Sequence, residues 1–520
     1  MFTLDRRGGL PEAAACALSS CLAWFWPAPA SASPVLELVG SNLGSGGFNA
    51  RAHGPSAASA YFNPALLPAA EPGFSLVTFA LNDAISITVD ARSPGVDVPE
   101  AALNNFNDGD RAAGTFPAVP TAWLENGCRR SQGQCTTDLA PHPRQSAGSS
   151  GKIRVYQGIG LVGHLFDRRL SLGFYTLVPT QSVLAAHAFF PDEREQFFTN
   201  SLHPELYSDR LSALSLAFGA GTRVTPWFSF GVGTTLSLAT TAAANAYIGD
   251  SSNIRDSLRQ STALESTAAL APHLGAVVTP IGRVRLSATV HSPQKVDIAS
   301  TTSTYLPNGD QQSAPRSAVH DWQPWIAGLG ASYDLVQDEK HQIALTATGT
   351  YQGWSQYVNR QGERPLRDYD WLDTLTGALG VRYTYDAVFS ALVDGNYRPT
   401  PVPSQTGRTN YVDNDTFGLG AGLSYDLPIE AWGVKLRLGA QGQVHLLRAR
   451  HQTKIDSTSP ALAGRRYSQI VIDEWSDRAV DSRPQTIAAA AGLQTNNPGW
   501  PGFSSEGFIL GAGVSVMVLY

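Results

Sequence analysis

The chain ends on a two-residue alternation. Phe508, Leu510, Ala512, Val514, Val516, Val518 and Tyr520 fall on one face of an extended segment, and Gly511, Gly513, Ser515 and Met517 on the other. Successive side chains of a strand point to opposite sides, so this segment has one lipid-like face and one small or polar face. The pattern recurs upstream. Val434, Leu436, Leu438, Ala440, Val444 and Leu446 oppose Lys435, Arg437, Gln441, Gln443 and His445. Val284, Leu286, Ala288 and Val290 oppose Arg283, Arg285, Ser287, Thr289 and His291. Ile343, Leu345, Ala347 and Tyr351 oppose Gln342, Thr346, Thr348 and Thr350.

Composition says which side is which. Only 15% of the 520 residues are charged, against roughly 25% in an average soluble protein. Mean hydropathy is −0.12, too low for a bundle of membrane helices. Strands with one lipid face and one lumen face produce both values. An arginine or lysine facing lipid at the midplane costs about 2–4 kcal/mol, so Arg285, Lys435 and Arg437 are expected to point into a lumen. An exported β-sandwich or propeller would also alternate, but these strands run long and their inner face is the polar one. The net charge of −6 and pI near 6.0 lack the basic excess of a nucleic-acid binder.

Fourteen strands are predicted, near 73–89, 153–165, 170–180, 208–224, 227–242, 266–279, 283–299, 320–335, 341–357, 372–385, 388–399, 415–427, 432–449 and 506–519. Bacterial single-chain barrels have even strand numbers, short turns at the periplasmic end and long loops outside. The connections here alternate in that way. Long ones cover 90–152, 181–207, 243–265, 300–319, 358–371, 400–414 and 450–505, and an even count puts both termini in the periplasm. The expected fold is all-β: a 14-stranded antiparallel transmembrane β-barrel over 73–520.

The N-terminus reads as an export signal over 1–32. Arg6 and Arg7 precede an apolar stretch from Ala13 to Trp26, and Ala30-Ser31-Ala32 offers a small-x-small cleavage site. Lipidation at Cys21, within Leu18-Ser19-Ser20-Cys21, is the competing processing route, and N-terminal sequencing separates the two. Cys128 and Cys135 remain in the mature chain, in a polar glycine-containing segment. In an exported protein such a pair is expected to form a disulfide, with two free thiols as the other reading. Residues 33–72 are rich in Gly, Ala and Ser and do not alternate. Ser56 to Phe62 predicts a short helix ended by Asn63-Pro64. The apolar residues of this segment favour an ordered plug inside the lumen over a loose periplasmic tail.

These features converge on a resemblance. Ser56 to Leu67, SAASAYFNPALL, resembles the N-terminal plug of the FadL/TodX family of outer-membrane transporters for long-chain fatty acids and hydrocarbons, with Asn63, Pro64 and Ala65 matching that family's plug signature. Thr289 to Asp297, Tyr351 to Ser355, Trp371 to Thr374 with Gly380 to Tyr383, and Tyr397 to Pro403 resemble strand ends of the same family, in the same order. The resemblance implies a plugged fourteen-stranded barrel that takes up hydrophobic molecules passively, through capture by outer loops, a pocket near the plug and a sideways exit through the wall. The long excursions 90–152 and 450–505 depart from typical members.

Candidate site residues follow. Phe189, Phe190, Phe197, Phe198 and Leu202 crowd one outer loop, and such an aromatic patch marks either a capture surface or a cap packed on its neighbours. Arg285, Lys435 and Arg437 either meet a fatty-acid carboxylate or pair with lumen acids such as Asp394. Expected partners are outer-membrane lipid, a hydrophobic small molecule and the barrel assembly machinery that reads an aromatic C-terminus; a monomer is expected. No cofactor or metal is expected. Gly158 to Gly163 fits a dinucleotide pattern but lies in a predicted strand with no helix after it, so it fails the required context. No enzyme is expected. The competing function is a surface adhesion or structural barrel acting through its long loops.

Overall fold

The computed structural model describes residues 35–41, 48–90, 153–180, 214–237, 261–305, 311–358, 362, 364, 371–405, 411–427, 434–453 and 502–520. It describes the backbone alone at 34, 128–131, 134–137, 145–148, 203–204, 240–248, 258–260, 266, 314, 316, 318, 320 and 428–431. Fourteen antiparallel strands close on themselves. In chain order they are β1 (Gly73–Val89), β2 (Ile153–Leu165), β3 (Leu170–Pro179), β4 (Ser215–Thr225), β5 (Phe228–Ser237), β6 (Ala269–Ile281) and β7 (Val284–His291). Then come β8 (Ile326–Gln337), β9 (His341–Gln352), β10 (Thr374–Tyr385), β11 (Phe389–Arg398), β12 (Thr416–Ala431), β13 (Val434–Thr453) and β14 (Gly502–Leu519). Each pairs with its sequence neighbour, and β1 pairs with β14 from Gly73↔Leu519 to Val89↔Phe503. Pairing of the first strand with the last closes the sheet, so neither β1 nor β14 is left as a free edge over the described residues.

Alternation sets the two faces as expected over most of the wall. Leu286, Val290, Leu345, Leu438, Leu446, Leu510, Val514 and Val516 are exposed on the outer face. Ser287, Thr289, His291, Thr346, Thr348, Gln443 and His445 are buried on the inner one. No helix among the described residues is long and apolar enough to cross a membrane; the crossing elements are strands. Six short turns and the two strand ends Gly73 and Leu519 share one end of the barrel.

The structure corrects the strand reading at two places. First, 243–265 and 300–319 are not plain loops. Thr240–Ile248, Leu258–Ser266, Gln294–Tyr305 and Gln311–Gln323 pair in that order into a four-stranded sheet. Their composition is Ser, Thr, Ala and Gln, which carries no apolar alternation to read, so only pairing reveals them. This sheet continues β5, β6, β7 and β8 beyond the long-loop end of the barrel. Second, β1 does not keep its apolar side outward. Val77, Phe79, Leu81, Ile85, Ile87 and Val89 are all buried within the lumen. Alternation defines two faces but does not say which one meets lipid once a strand outruns the membrane. Seventeen residues rise roughly 40 Å at the usual strand tilt, against an apolar band of about 25 Å.

The plug lies inside the barrel. Helix α1 (Pro34–Val39), a turn over 48–53, helix α2 (Ser59–Phe62) and a 3-10 turn (Pro64–Ala69) lead straight into β1. Residues 1–33 and most of 91–152 and 454–501 lie outside the described residues, and with them the expected export signal and the two long excursions.

Candidate functional site

The plug is seated on glycine. Asn63 ends α2 and starts the 3-10 turn: its Oδ1 accepts from the Ala65 N–H at 3.1 Å and its Nδ2 donates to the Arg51 carbonyl at 2.9 Å. Pro64 occupies the first helical position, where its missing N–H costs nothing. Gly221, Gly231 and Gly275 stand in one register row across β4, β5 and β6. A Cβ on Gly275 would lie 2.0 Å from Asn63 Oδ1, one on Gly231 2.3 Å from the Pro64 carbonyl carbon, and one on Gly221 2.2 Å from the Pro64 oxygen. The predicted Asn63, Pro64 and Ala65 therefore rest on bare wall backbone. Side-chain bonds add to the seat. His273 Nε2 donates to the Ala60 carbonyl at 2.7 Å, and the His273 ring stacks on His291 at 4.7 Å. Asn49 Nδ2 donates to Asp394 at 2.9 Å, and Thr348 donates to Asn49 Oδ1 at 2.8 Å.

Within the plug, Arg51 pairs with Glu37 through both terminal nitrogens, and the Tyr61 hydroxyl donates to the same carboxylate at 2.7 Å. Burial by itself would lower the Arg51 pKa, but Glu37 outweighs it and raises Arg51 above its ordinary value. His53 contacts Ser332 at 3.2 Å. Burial, with Arg382 and Arg285 nearby, holds His53 well below the usual histidine range. Its folded pKa is thus depressed relative to an unfolded value of about 6.5. The neutral ring contributes stability that is whole above about pH 6.5 and is lost as pH falls below it. Hydrogen exchange over residues 48–62, corrected for intrinsic rate, is expected to speed up between about pH 7 and about pH 5, and His53→Gln is expected to flatten that dependence.

Against the plug the inner wall is apolar. The inner faces of β1 (Phe79, Leu81, Ile85, Ile87), β2 and β3 (Tyr156, Tyr175, Leu177), β13 (Leu447) and β14 (Phe503, Ile509) join the plug's Leu36, Leu38 and Val39 in one hydrophobic cluster. The Phe79 ring lies against Gly511 and Gly513 of β14, where a Cβ would come within 2.5 and 2.6 Å. Sequence reasoning treated the lumen as the polar side and so missed this surface; the runs of Val, Phe, Leu and Ile at alternate positions of 77–89 carried the signal.

The predicted basic residues lie elsewhere. Arg437 and Lys435 both pair with Asp426 and Glu71 near the short-turn end. Arg285 has Asp334 as its electrostatic partner. Their acids are therefore Asp426, Glu71 and Asp334, while Asp394 meets Asn49. Phe189, Phe190, Phe197, Phe198 and Leu202 lie outside the described residues. Cys128 stands opposite Thr137 and Cys135 opposite Arg130 in a short hairpin described by its backbone alone; thiol labelling without reductant tests the proposed bridge.

The motif residues at the strand ends gather at the long-loop end. Trp322, Trp354, Tyr357, Trp371 and Tyr411 form a buried aromatic cluster with Val319 and Val402, in which Tyr357 and Trp371 stack at 3.7 Å. Two turns there are built alike. Asp373 accepts from the Tyr351 hydroxyl and, at 2.7 Å, from the Ser355 N–H. Asp415 accepts from the Tyr397 hydroxyl at 3.1 Å and the Thr400 N–H at 2.9 Å. A rigid rim of this kind fixes where the outer loops leave the barrel.

The barrel aligns with the crystal structure of a Pseudomonas aeruginosa FadL homologue at a TM-score of 0.51 and 14% identity, over 95% of this chain and 99% of that one. The P. putida toluene transporter TodX aligns at 0.45 and 12% identity over 93% and 99% of the two chains. The CymD monoaromatic hydrocarbon channel aligns at 0.41 and 11% identity over 94% and 98%. No protein-family model matches the sequence, and no curated protein matches it. The likeness is one of fold: a closed fourteen-stranded barrel with a small helical segment at its N-terminus.

Proposed function

We propose that this barrel, built on the fold of the FadL homologue, sits in a bacterial outer membrane and passes hydrophobic molecules inward without an energy source. The observation that carries the reading is the apolar cluster on the inner wall, which we read as the lining of a compartment. A water-filled pore has no use for Phe79, Leu81, Ile85, Ile87 and Tyr156 turned inward and buried. A lipophilic molecule does, since each Å2 of apolar area removed from water is worth about 25 cal/mol. The plug fills the short-turn end beneath that compartment, which favours exit sideways through the wall over passage down the axis. Capture is assigned to the outer loop carrying Phe197 and Phe198. Both termini are placed in the periplasm.

The test is uptake. Ile87→Asp puts a charge into the compartment without touching the plug seat. It is expected to cut uptake of a radiolabelled long-chain hydrocarbon or fatty acid about tenfold or more while the barrel keeps its heat-modifiable mobility on gels, because burying an unpaired carboxylate is costly. Unchanged uptake in that variant, in cells lacking other such barrels, would reject the compartment as the route.

A further inference from the structure

We infer that Arg168, Arg169, Arg223 and Arg283 form a docking face at the short-turn mouth of the barrel for an acidic segment of a soluble periplasmic protein. The inference rests on the outer-membrane placement proposed above, with the short turns in the periplasm, and not on the hydrophobic cargo.

Three neighbouring turns supply the four arginines. Arg168 and Arg169 lie in the β2–β3 turn, Arg223 lies two residues before β4 ends at Thr225, and Arg283 lies between β6 and β7. All four are exposed, and Asp167 is the one acid in these turns. Among the described residues none of the four is held in an ion pair. The next two turns carry the opposite sign, with Asp338, Glu339 and Asp386 against Lys340, all exposed. The last turn is balanced, because Lys435 and Arg437 pair with Asp426 and Glu71. The mouth is therefore basic on one half and acidic beside it. Arg223 shares the inner side of β4 with Gly219 and Gly221, which are buried, and a Cβ on Gly221 would meet the Pro64 oxygen of the plug. Arg283 continues the inner row of Arg285 and Ser287 on β7. The inner side thus turns from buried to exposed at the level of the arginines, where the mouth meets water. Val224 stands on the lipid side of β4, and Phe166, Trp227 and Ile281 are exposed apolar residues of the same turns. Residues of that kind mark the edge of the bilayer.

Like charges on adjacent turns repel one another, and an anionic partner relieves that repulsion. The field of such a patch also steers an acidic partner toward it. Geometry chooses among the partners that could supply the charge. A second copy of this chain cannot, since two barrels inserted the same way in one membrane present their mouths in the same direction. A phospholipid headgroup comes from the lipid side, where β4 offers Val224, whereas Arg223 and Arg283 stand on the inner side. A soluble acidic protein meets all four from the water. The acidic turns with Asp338, Glu339 and Asp386 repel an acidic segment that docks on the wrong half, so the mouth accepts it in one orientation. A partner seated on the arginines lies beneath the 3-10 turn Pro64–Ala69, which rests on Gly221 of β4 and Gly231 of β5.

Fluorescence anisotropy of a labelled poly-glutamate peptide, added to the full-length barrel in phosphatidylcholine nanodiscs, tests this. The peptide is expected to bind the wild type, and to bind about tenfold or more weakly when salt is raised from about 50 mM to about 500 mM. Arg168→Glu, Arg169→Glu, Arg223→Glu and Arg283→Glu together are expected to weaken binding about tenfold or more. Arg168→Glu with Arg283→Glu leaves the glycine row alone, and is expected to weaken it about threefold even where the fourfold variant does not assemble. Asp338→Lys with Asp386→Lys is expected to leave binding equal or stronger. No binding to the wild type, or binding unmoved by the arginine changes, would overturn the inference. So would arginine-dependent enrichment of phosphatidylglycerol around the barrel, read by native mass spectrometry, without peptide binding: the patch would then be a lipid site. Arg168→Cys is expected to react with an impermeant maleimide only after the outer membrane is permeabilised. Labelling in intact cells would reject the periplasmic placement of this end, and the inference with it.

Discussion

Gly275→Val is expected to produce a barrel whose plug no longer seats. The reason is local and steric. A Cβ at this position would lie 2.0 Å from Asn63 Oδ1 and 3.3 Å from Pro64 Cδ. Asn63 cannot swing aside, because its carboxamide holds the Ala65 N–H on one side and the Arg51 carbonyl on the other. Overpacking of a tight site costs about 1–3 kcal/mol. Losing the Asn63 bonds strands two buried backbone groups, at about 1–3 kcal/mol each. Together these reach several kcal/mol at the point where the plug rests on the wall. Gly377→Val is the matched control, since nothing lies within 4 Å of a Cβ there. Single-channel recording in planar bilayers reads the outcome. Gly275→Val is expected to conduct as an open fourteen-stranded pore, and Gly377→Val to stay closed like the wild type. A closed Gly275→Val barrel with normal protease resistance of residues 48–70 would show that the glycine row is not the seat.

The barrel itself was legible because its signal is local. Alternation at 284–291, 343–351, 434–446 and 508–520 names both faces of each strand within a few residues, and the structure keeps those faces. The plug was legible through Asn63-Pro64-Ala65, a local motif. What the sequence did not show is what register assembles. Gly221, Gly231 and Gly275 are separated by tens of residues and become a row only through pairing of β4, β5 and β6. Asp83 and Arg154 are 71 residues apart and meet by the same route. The partners of the basic residues were not legible: Asp426 lies across the β12–β13 ladder from Arg437, a proximity that a single strand's pattern cannot reveal. The four-stranded sheet beyond the barrel escaped for a different reason. Its strands carry Ser, Thr, Ala and Gln with no apolar alternation to read.

Arg51→Ala is expected to have the second large effect, and it tests whether the plug is held by charge as well as by shape. The Arg51 side chain is 5% exposed and that of Glu37 22%. Arg51 reaches Glu37 with two nitrogens, lies 5.4 Å over the Phe62 ring, and presents its carbonyl to Asn63. It thereby ties α1 to α2 and α2 to the turn on the glycine row. Deleting the guanidinium leaves Glu37 charged with the Tyr61 hydroxyl as its remaining donor in this cluster. Breaking a largely buried pair in this way typically costs about 3–5 kcal/mol, most of it the penalty on the orphaned charge. That origin makes a distinctive prediction. If the loss comes from the stranded carboxylate, Glu37→Gln in the Arg51→Ala background recovers about half or more of it, whereas a loss of packing alone is not recovered. Hydrogen exchange over residues 34–70, read for the wild type, both single variants and the double variant, gives the coupling directly. A coupling of about 2 kcal/mol or more is expected, and purely additive losses would assign Arg51 to packing against Phe62. The same four proteins separate anchoring from gating. The α1 segment that Glu37 tethers contributes Leu36 and Leu38 to the apolar cluster proposed as the compartment's lining, so on that proposal loosening it changes the floor on which a hydrophobic molecule would rest. Exchange at 34–41 is therefore expected to rise together with the dissociation rate of bound hydrocarbon.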